Sequence, residues 1–496
     1  MSGFVIHASR LDPERDRDRE VGRAMPNHEL LKEADLPTLA EAVLAVLEEV
    51  GILCQNSDLL DALEEQGATV DRADQVARFP GKLIEDFVET LIEENRGSQD
   101  PKLEPFSAPA LPGLGTQVAQ FIHDYGADEI RPGNRLDFVE LVKLGDVLHE
   151  GAVGHCLLLT DVPPMVEPLE AALVLAEYAR KPGPAFAWNV GQVDYLIEMG
   201  EIVGIADWFT WGANCFAHPL RYEKDVADKF VRRARTGASC GFAAMPVAGS
   251  TTPVTTAGFI VVSAAEQIAA WILARAVNPD AKLDGVVYGG STDMATGGVS
   301  YSAFDGLRNA LATVEFLRRW TGMAIGIGTG EYCDARVPGY FAAWEKAYKA
   351  MTIAAFTGRH PGMGQGTLEE GKVLSPVQLM LERELGLGVQ LIGRPVEVTP
   401  ETIALDTIIE VGFGIDKSYL SQDHTLDHFR EDTWLPPFLD RSGYSGPEQE
   451  RKVLDRLQDE IDELVASYRR PERDPDSLVE MRQVVERAKR EIGNGA

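Results

Sequence analysis

The sequence predicts an α/β protein: a (β/α)8 TIM barrel with a mostly helical N-terminal region and C-terminal helices. Three observations predict it. From about residue 120, short apolar runs alternate with helix-length amphipathic stretches, the texture of a parallel sheet covered by helices. The alternation repeats at least six times, which suits a closed barrel better than an open sheet. No G-x-G-x-x-G opens a helix after a strand, so a dinucleotide-binding sheet has no support.

The elements follow in chain order. Residues 1–26 form a charged arm, expected to be disordered. In the N-terminal region, 27–120, LPTLAEAVLAVLEEVGIL (36–53) has helical apolar spacing and ends near Gly51. GATVDRADQVARFP reads as a small strand-and-turn insert, and EDFVETLIEEN as a further helix. The barrel is expected over 121–445. Its strands are GHCLLLTDVPP, PAFAWNV, WFTWGAN, SCGFAAMPVAG, KLDGVVYGGST and MAIGIGTGEYC. Between them lie the helices EPLEAALVLAEYAR, SAAEQIAAWILARAV, SAFDGLRNALATVEFLRRW and YFAAWEKAYKAMTIAAF. Residues 446–496 form two charged helices broken at PERDPD, read as surface or interface helices of a homo-oligomer.

Composition narrows the function. There are 47 basic and 78 acidic residues, a net charge of −31. That argues against nucleic acid or an anionic membrane as partner, and it is compatible with attraction of a small cation. No apolar run of about 20 residues announces a membrane span, and the N-terminus lacks a signal core. The five cysteines, Cys54, Cys156, Cys215, Cys240 and Cys333, form no C-x-x-C. A reducing cytoplasm without a disulfide framework is expected.

In a barrel the loops after the strands carry the chemistry. Those loops supply Tyr288 from YGGSTD, then Glu331, Tyr332, Asp334, Arg336, Tyr340 and Phe341 from GTGEYCDARVPGYF. RHPGMGQG adds Arg359 and His360, and Trp188 ends PAFAWNV. Carboxylates beside aromatic faces suit a cation, because both carry negative potential. Two plainer readings stand beside this one. Tyr340, Trp344 and Tyr348 are spaced by four and fit a single buried helix face, and Arg336 has Asp334 and Glu331 nearby as structural partners. GTGEYC lacks the P-loop lysine and is not a nucleotide site.

These residues resemble the trimethylamine methyltransferase (MttB-like) superfamily. The resemblance rests on five segments in order: LEEVGILCQNSDLLDALEEQGATVD, HDYGADEIRPGNRLDFVELVKLGDVL, GSTTPVTTAGFIVVSAAEQIAAWILARAV, GTGEYCDARVPGYFAAWEKAY and VGFGIDKSYLSQDHTLDHFREDTWLPPFLDR. It implies a TIM barrel that moves a methyl group from a methylated amine to the cobalt of a cobalamin (corrinoid) carried by a partner protein. The chain contains only standard residues, which is similar to the branch that lacks pyrrolysine and acts on quaternary amines such as glycine betaine. Cys333 to Glu345 departs from the family's usual pattern: Arg336 stands for a lysine, Gly339 for an acidic residue, Phe341 for a glutamine and Trp344 for a tyrosine.

A quaternary ammonium already carries a competent leaving group. A protein that uses one has only to desolvate it, orient a methyl group and admit the nucleophile. No metal is then required, and HTLDH (424–428) agrees, since it lacks the glutamate of H-E-x-x-H and any evident third ligand. His424 is instead read as lining the pocket, with Arg336 first and His360 second as partners for a betaine carboxylate. Two further readings stay open. One is a barrel hydrolase or lyase using Glu331 and Asp334 as acid and base. The other is an osmolyte-binding barrel without methyl transfer.

Overall fold

The computed structural model describes residues 29–95, 110–149, 151–205, 208–210, 216–235, 240–328, 330–357, 360–439 and 441–493. The expected N-terminal arm and Arg359 lie outside these residues. The architecture is mixed α/β, with most described residues in helices and the strands short.

The N-terminal elements match their sequence signals. Helix Leu36–Ala45 runs on through a wider turn, Val46–Val50, and stops at Gly51 with φ +73°. A Cβ there would lie 2.1 Å from Ala77 O, so both the left-handed backbone and the close approach require glycine. Strand Ile52–Cys54 then pairs antiparallel with Val76–Arg78 and parallel with Arg221–Tyr222. The N-terminal hairpin is thereby joined to the body through a shared sheet.

Further on, the parallel pairings advance along the chain. Ala119 pairs with Leu157 and Val153 with Pro182. Ala185 pairs with Phe209, Leu283 with Cys240 and Val286 with Gly326. Val373 pairs with Phe121, which sets strand Val373–Leu374 beside strand Phe121–Asp124. Among the described residues these remain small sheets, and none closes.

Helices cover the strands. Thr256–Val277 is capped by the Thr255 hydroxyl, which accepts from Gly258 N. It lies against Phe304–Thr321, Leu36–Ala45 and Ser57–Glu65. Its Trp271 is fully buried and donates Nε1–H to Asp284 O at 3.0 Å, satisfying the indole that burial would otherwise leave unpaired. This helix is long and apolar enough to cross a membrane, but 78% of its most apolar window is buried inside the protein. It is a core helix whose apolar surface is already covered.

The two C-terminal helices, Pro447–Ser467 and Pro475–Glu491, bury Val453, Leu454, Leu457, Ile461, Met481 and Val485 against the body. Their apolar stripes are occupied by their own chain, and their charged faces remain in solvent.

Candidate functional site

Three tyrosines come together from successive strand ends. Tyr288 follows strand Leu283–Val287, Tyr301 follows Val299–Ser300, and Tyr332 follows Gly326–Ile327. Tyr288 and Tyr332 meet edge to face with centroids 5.6 Å apart, and Tyr301 and Tyr332 lie 5.8 Å apart. The Tyr288 hydroxyl donates to Glu331 Oε1 at 2.9 Å, and the Tyr301 hydroxyl to Met245 O at 3.1 Å. Glycines make the space. A Cβ on Gly328 would sit 2.2 Å from the Tyr288 ring, and one on Gly371 would sit 2.4 Å from the Tyr332 ring.

Beside the rings lies a cluster of carboxyl groups around one lysine. Strands Thr367–Leu368 and Val373–Leu374 are joined by a turn in which Glu369, Glu370 and Gly371 have φ of +47°, +55° and +84°. Two consecutive glutamates in the left-handed region are strained, by about 1–2 kcal/mol each. The turn is held there by the neighbouring loop: Glu369 N donates to Ala335 O at 2.9 Å and Glu370 N to Cys333 O at 2.8 Å. Glu370 thus reaches Ser302, whose hydroxyl donates to its Oε1 at 3.1 Å, and touches the Asp334 carboxyl. Two carboxyl groups in hydrogen-bonding contact need a proton between them. Burial first, and Asp334 next, push Glu370 up to about 8. Lys349, fully buried, donates to Ser302 Oγ at 3.0 Å and to Tyr332 O. Burial pulls its ammonium down to about 8.

Next to this cluster stands a second buried pair. Lys346 and Glu382 are both fully buried and bonded to each other. Lys346 also donates to Thr367 O at 2.6 Å, while Glu382 accepts from Gly366 N at 2.7 Å and Gln378 Nε2 at 3.1 Å. The pair ties helices Tyr340–Thr357 and Pro376–Ile392 to the strand that leads into Glu370.

The other expected site residues fall elsewhere. Arg336 is 78% exposed, with its nearest carboxylate, Glu369, at 3.8 Å. Tyr340 packs on Tyr444 at 5.7 Å. Phe341 is exposed in a surface groove with Arg336, Pro338 and Arg451. Asp334 accepts from Ser300 Oγ at 2.7 Å and joins the carboxyl cluster through Glu370. Trp188 is half-buried, held by Glu167 Oε2 at 2.9 Å, and Glu167 in turn pairs with buried His155 at 3.0 Å. Among the described residues Trp188 shares no ring contact with the three tyrosines. His360 accepts from Gly362 N on Nδ1 at 3.1 Å. Burial lowers its basicity, and its Nε2 is buried with no partner. That loop adjoins Gly330, next to Glu331.

His424 bonds Glu401 O at 3.1 Å and lies with its ring tilted 4.4 Å from that of His428 on helix Asp423–Asp432. Among the described residues it shares no contact with the tyrosines, and no group of three or more His, Cys, Asp or Glu residues could hold a metal ion. Cys54, Cys156 and Cys333 are buried thiols pushed up to about 12 by burial, so none is a ready thiolate nucleophile.

Sequence reasoning missed Lys346, Lys349, Glu370 and Glu382. The signal was present in WEKAYKA: lysines three apart in a helix whose one other charged residue is Glu345. The expected alternative was that Tyr340, Trp344 and Tyr348 formed the buried face. Instead Trp344 is 52% exposed, and the lysines are inside.

The chain has relatives among known proteins. The profile of the trimethylamine methyltransferase (MTTB) family matches residues 7–493. Trimethylamine methyltransferase MttB of Desulfitobacterium hafniense (strain DSM 10664 / DCB-2) is 24% identical over 417 residues, covering 80% of this chain and 81% of that protein. The glycine betaine methyltransferase of Desulfitobacterium hafniense (strain Y51) is 22% identical over 95% of this chain and 100% of its own. Trimethylamine methyltransferase MttB2 of Methanosarcina mazei is 27% identical, but over 57% of this chain and 56% of that protein. With a profile match over nearly its whole length, the chain belongs to the trimethylamine methyltransferase family.

Proposed function

We propose that this methyltransferase takes a methyl group from a quaternary amine and passes it to the cobalt of a corrinoid on a separate protein. The observation that carries this reading is the tyrosine box, with Glu331 bonded to Tyr288 and the Asp334–Glu370 pair beside it. Ring faces and carboxyl groups together favour a cation that has left its water behind, at about 0.5–2 kcal/mol per ring. The corrinoid supplies a two-electron nucleophile. The C–N bond breaks, its electron pair stays on nitrogen, and a neutral amine leaves, so the protein need not supply a proton. Its own residues exclude water and hold one methyl group toward the nucleophile. We also read the scaffold as a (β/α)8 barrel. The advancing parallel pairings and the pairing of Val373 with Phe121 support it.

A betaine such as glycine betaine brings a carboxylate. The unpartnered Nε2–H of His360 favours it as the carboxylate's partner, and the full-length match to a glycine betaine methyltransferase agrees. Exposed Arg336 is the weaker choice. A second reading is a trimethylammonium donor. The Asp334–Glu370 pair favours it, because a carboxylate there can accept the N–H that a quaternary amine lacks.

The test is anaerobic methyl transfer to cob(I)alamin with a panel of methylated amines, read from the visible spectrum. Methylcobalamin with glycine betaine supports the first reading, and with trimethylamine alone the second. Binding without methyl transfer, with free cob(I)alamin and with corrinoid proteins alike, would return the osmolyte-binding alternative. Turnover without any corrinoid would return the hydrolase.

A further inference from the structure

Glu167 is buried at the start of helix Glu167–Tyr178, and three N–H groups converge on its carboxyl. Leu159 N donates to Oε1 at 3.0 Å, and Trp188 Nε1 donates to Oε2 at 2.9 Å. The third is His155, itself fully buried, whose Nε2 lies 3.0 Å from Oε1. The Phe186 N–H donates to the other ring nitrogen, Nδ1, at 3.3 Å. Nδ1 is therefore the acceptor and Nε2 carries the proton, so the ring is neutral. Three donors favour the ionised carboxyl. Glu167 thus holds a buried negative charge, and among the described residues its one ion-pair contact is this neutral histidine. A buried charge without an opposite charge is costly.

The charge acts on one side chain. Trp188 follows strand Ala185–Phe186, at the carboxyl end, where α/β folds bind ligands. Its backbone is fixed as firmly as its ring. Gln192 Oε1 accepts from Trp188 N and Asn189 N at 2.8 and 3.0 Å. Lys229 Nζ donates to Ala187 O and Trp188 O at 3.1 and 2.9 Å, and its own carboxylate partner is Asp225 at 3.4 Å. The Phe186 ring backs the indole, with centroids 4.5 Å apart. A ring fixed only to fill the core would be buried; this one is held rigidly and is 38% exposed.

We propose that the outer face of Trp188 is an ammonium-binding site, separate from the tyrosine box, for a methylated cation. Among aromatic faces, that of tryptophan attracts a cation most strongly. The carboxylate that accepts its N–H adds negative potential behind the ring, and an arriving cation supplies the positive charge that Glu167 lacks. The indole N–H is already engaged, so the exposed face offers no hydrogen bond. A primary ammonium would leave its hydration there without replacement, whereas a quaternary ammonium has no N–H to satisfy. Trp188 therefore sets the preference for the methylated cation, and Glu167, His155 and Lys229 are positioning residues. The class of ligand rests on the methylated-amine reading above.

The test is NMR of the full-length chain with nitrogen-15 in its seven indoles. Trp188→Phe identifies the Trp188 Nε1–H signal by its loss. Tetramethylammonium should shift that signal saturably, in the wild type and in Tyr332→Leu alike. tert-Butanol, similar in size and uncharged, should not. Glu167→Gln removes the charge and keeps an acceptor for the indole, and should weaken the cation's titration by about tenfold. If that variant misfolds, the other titrations decide. A Trp188 signal that ignores tetramethylammonium, moves equally with tert-butanol or moves only while Tyr332 is intact overturns the proposal. So does an unchanged titration in folded Glu167→Gln. Methyl transfer in the amine panel with a silent Trp188 would sink this site and leave the proposed function standing. A Trp188 titration without methyl transfer would do the reverse.

Discussion

Replacing Glu370 with Gln should make the protein more stable at pH 8 than the wild type while changing little near pH 5. In the folded chain the Glu370 carboxyl holds its proton up to about 8, because it is buried and touches Asp334, against an ordinary 4.5. Between those values the folded chain keeps a proton that the unfolded chain has released. Stability therefore falls as pH rises through that window, and the loss is complete above the folded value. At about 1.36 kcal/mol per pH unit, the interval from 4.5 to about 8 sets a ceiling of about 5 kcal/mol. That folded value already includes Lys349, which faces Glu370 across Ser302 and favours the ionised carboxylate, and relaxation around the ionised group keeps the effect below the ceiling, so about 2–4 kcal/mol is expected at pH 8. Lys349 itself has the opposite sign. Its ammonium is pulled down to about 8 from 10.5, so its contribution grows as pH rises between those values. The wild type should thus show a shallow minimum of stability near pH 8, and the variant should lose the falling limb. Equilibrium urea unfolding of both proteins across this pH range measures it. Parallel stability curves for the two would refute the reasoning.

Other outcomes follow from the same geometry. Lys346→Met strands the buried Glu382 carboxylate and should cost about 3–5 kcal/mol, whereas adding Glu382→Met should recover most of it; denaturant midpoints test both. Tyr332→Leu keeps the volume roughly but removes a ring face, and should weaken tetramethylammonium binding by about 0.5–2 kcal/mol in calorimetry. Arg336→Ala should change stability by less than about 0.5 kcal/mol, because its side chain is 78% exposed and its nearest carboxylate is 3.8 Å away.

Local order explains which features were legible before the structure. The turn of Gly51, the hairpin at 69–78, the strand-helix alternation and the break at PERDPD are written in neighbouring residues, because periodicity and turn chemistry act over a few positions. So was the list of strand-end residues from which Tyr288, Glu331, Tyr332 and Asp334 came. What the list could not show was which members meet. Arg336 and Tyr340 are close to Tyr332 in sequence, but Arg336 faces outward and Tyr340 packs toward the C-terminal helix, while Tyr301 and Glu370 join the candidate site from 31 positions before Tyr332 and 38 after it.

The sequence by itself determined the family and much of the order of helices and strands, and it supplied the list of strand-end residues from which a candidate site could be drawn. Only the tertiary structure decided what helix Tyr340–Thr357 hides. By composition its aromatic residues belong inside and its lysines outside. The fold reverses this for Phe341, Trp344 and both lysines: Glu382 and Thr367 O wait for Lys346, and Ser302 Oγ and Tyr332 O wait for Lys349. A buried charge is tolerable only where partners converge on it. Those partners come from distant segments of the chain, so a pattern of neighbours along one helix cannot reveal them.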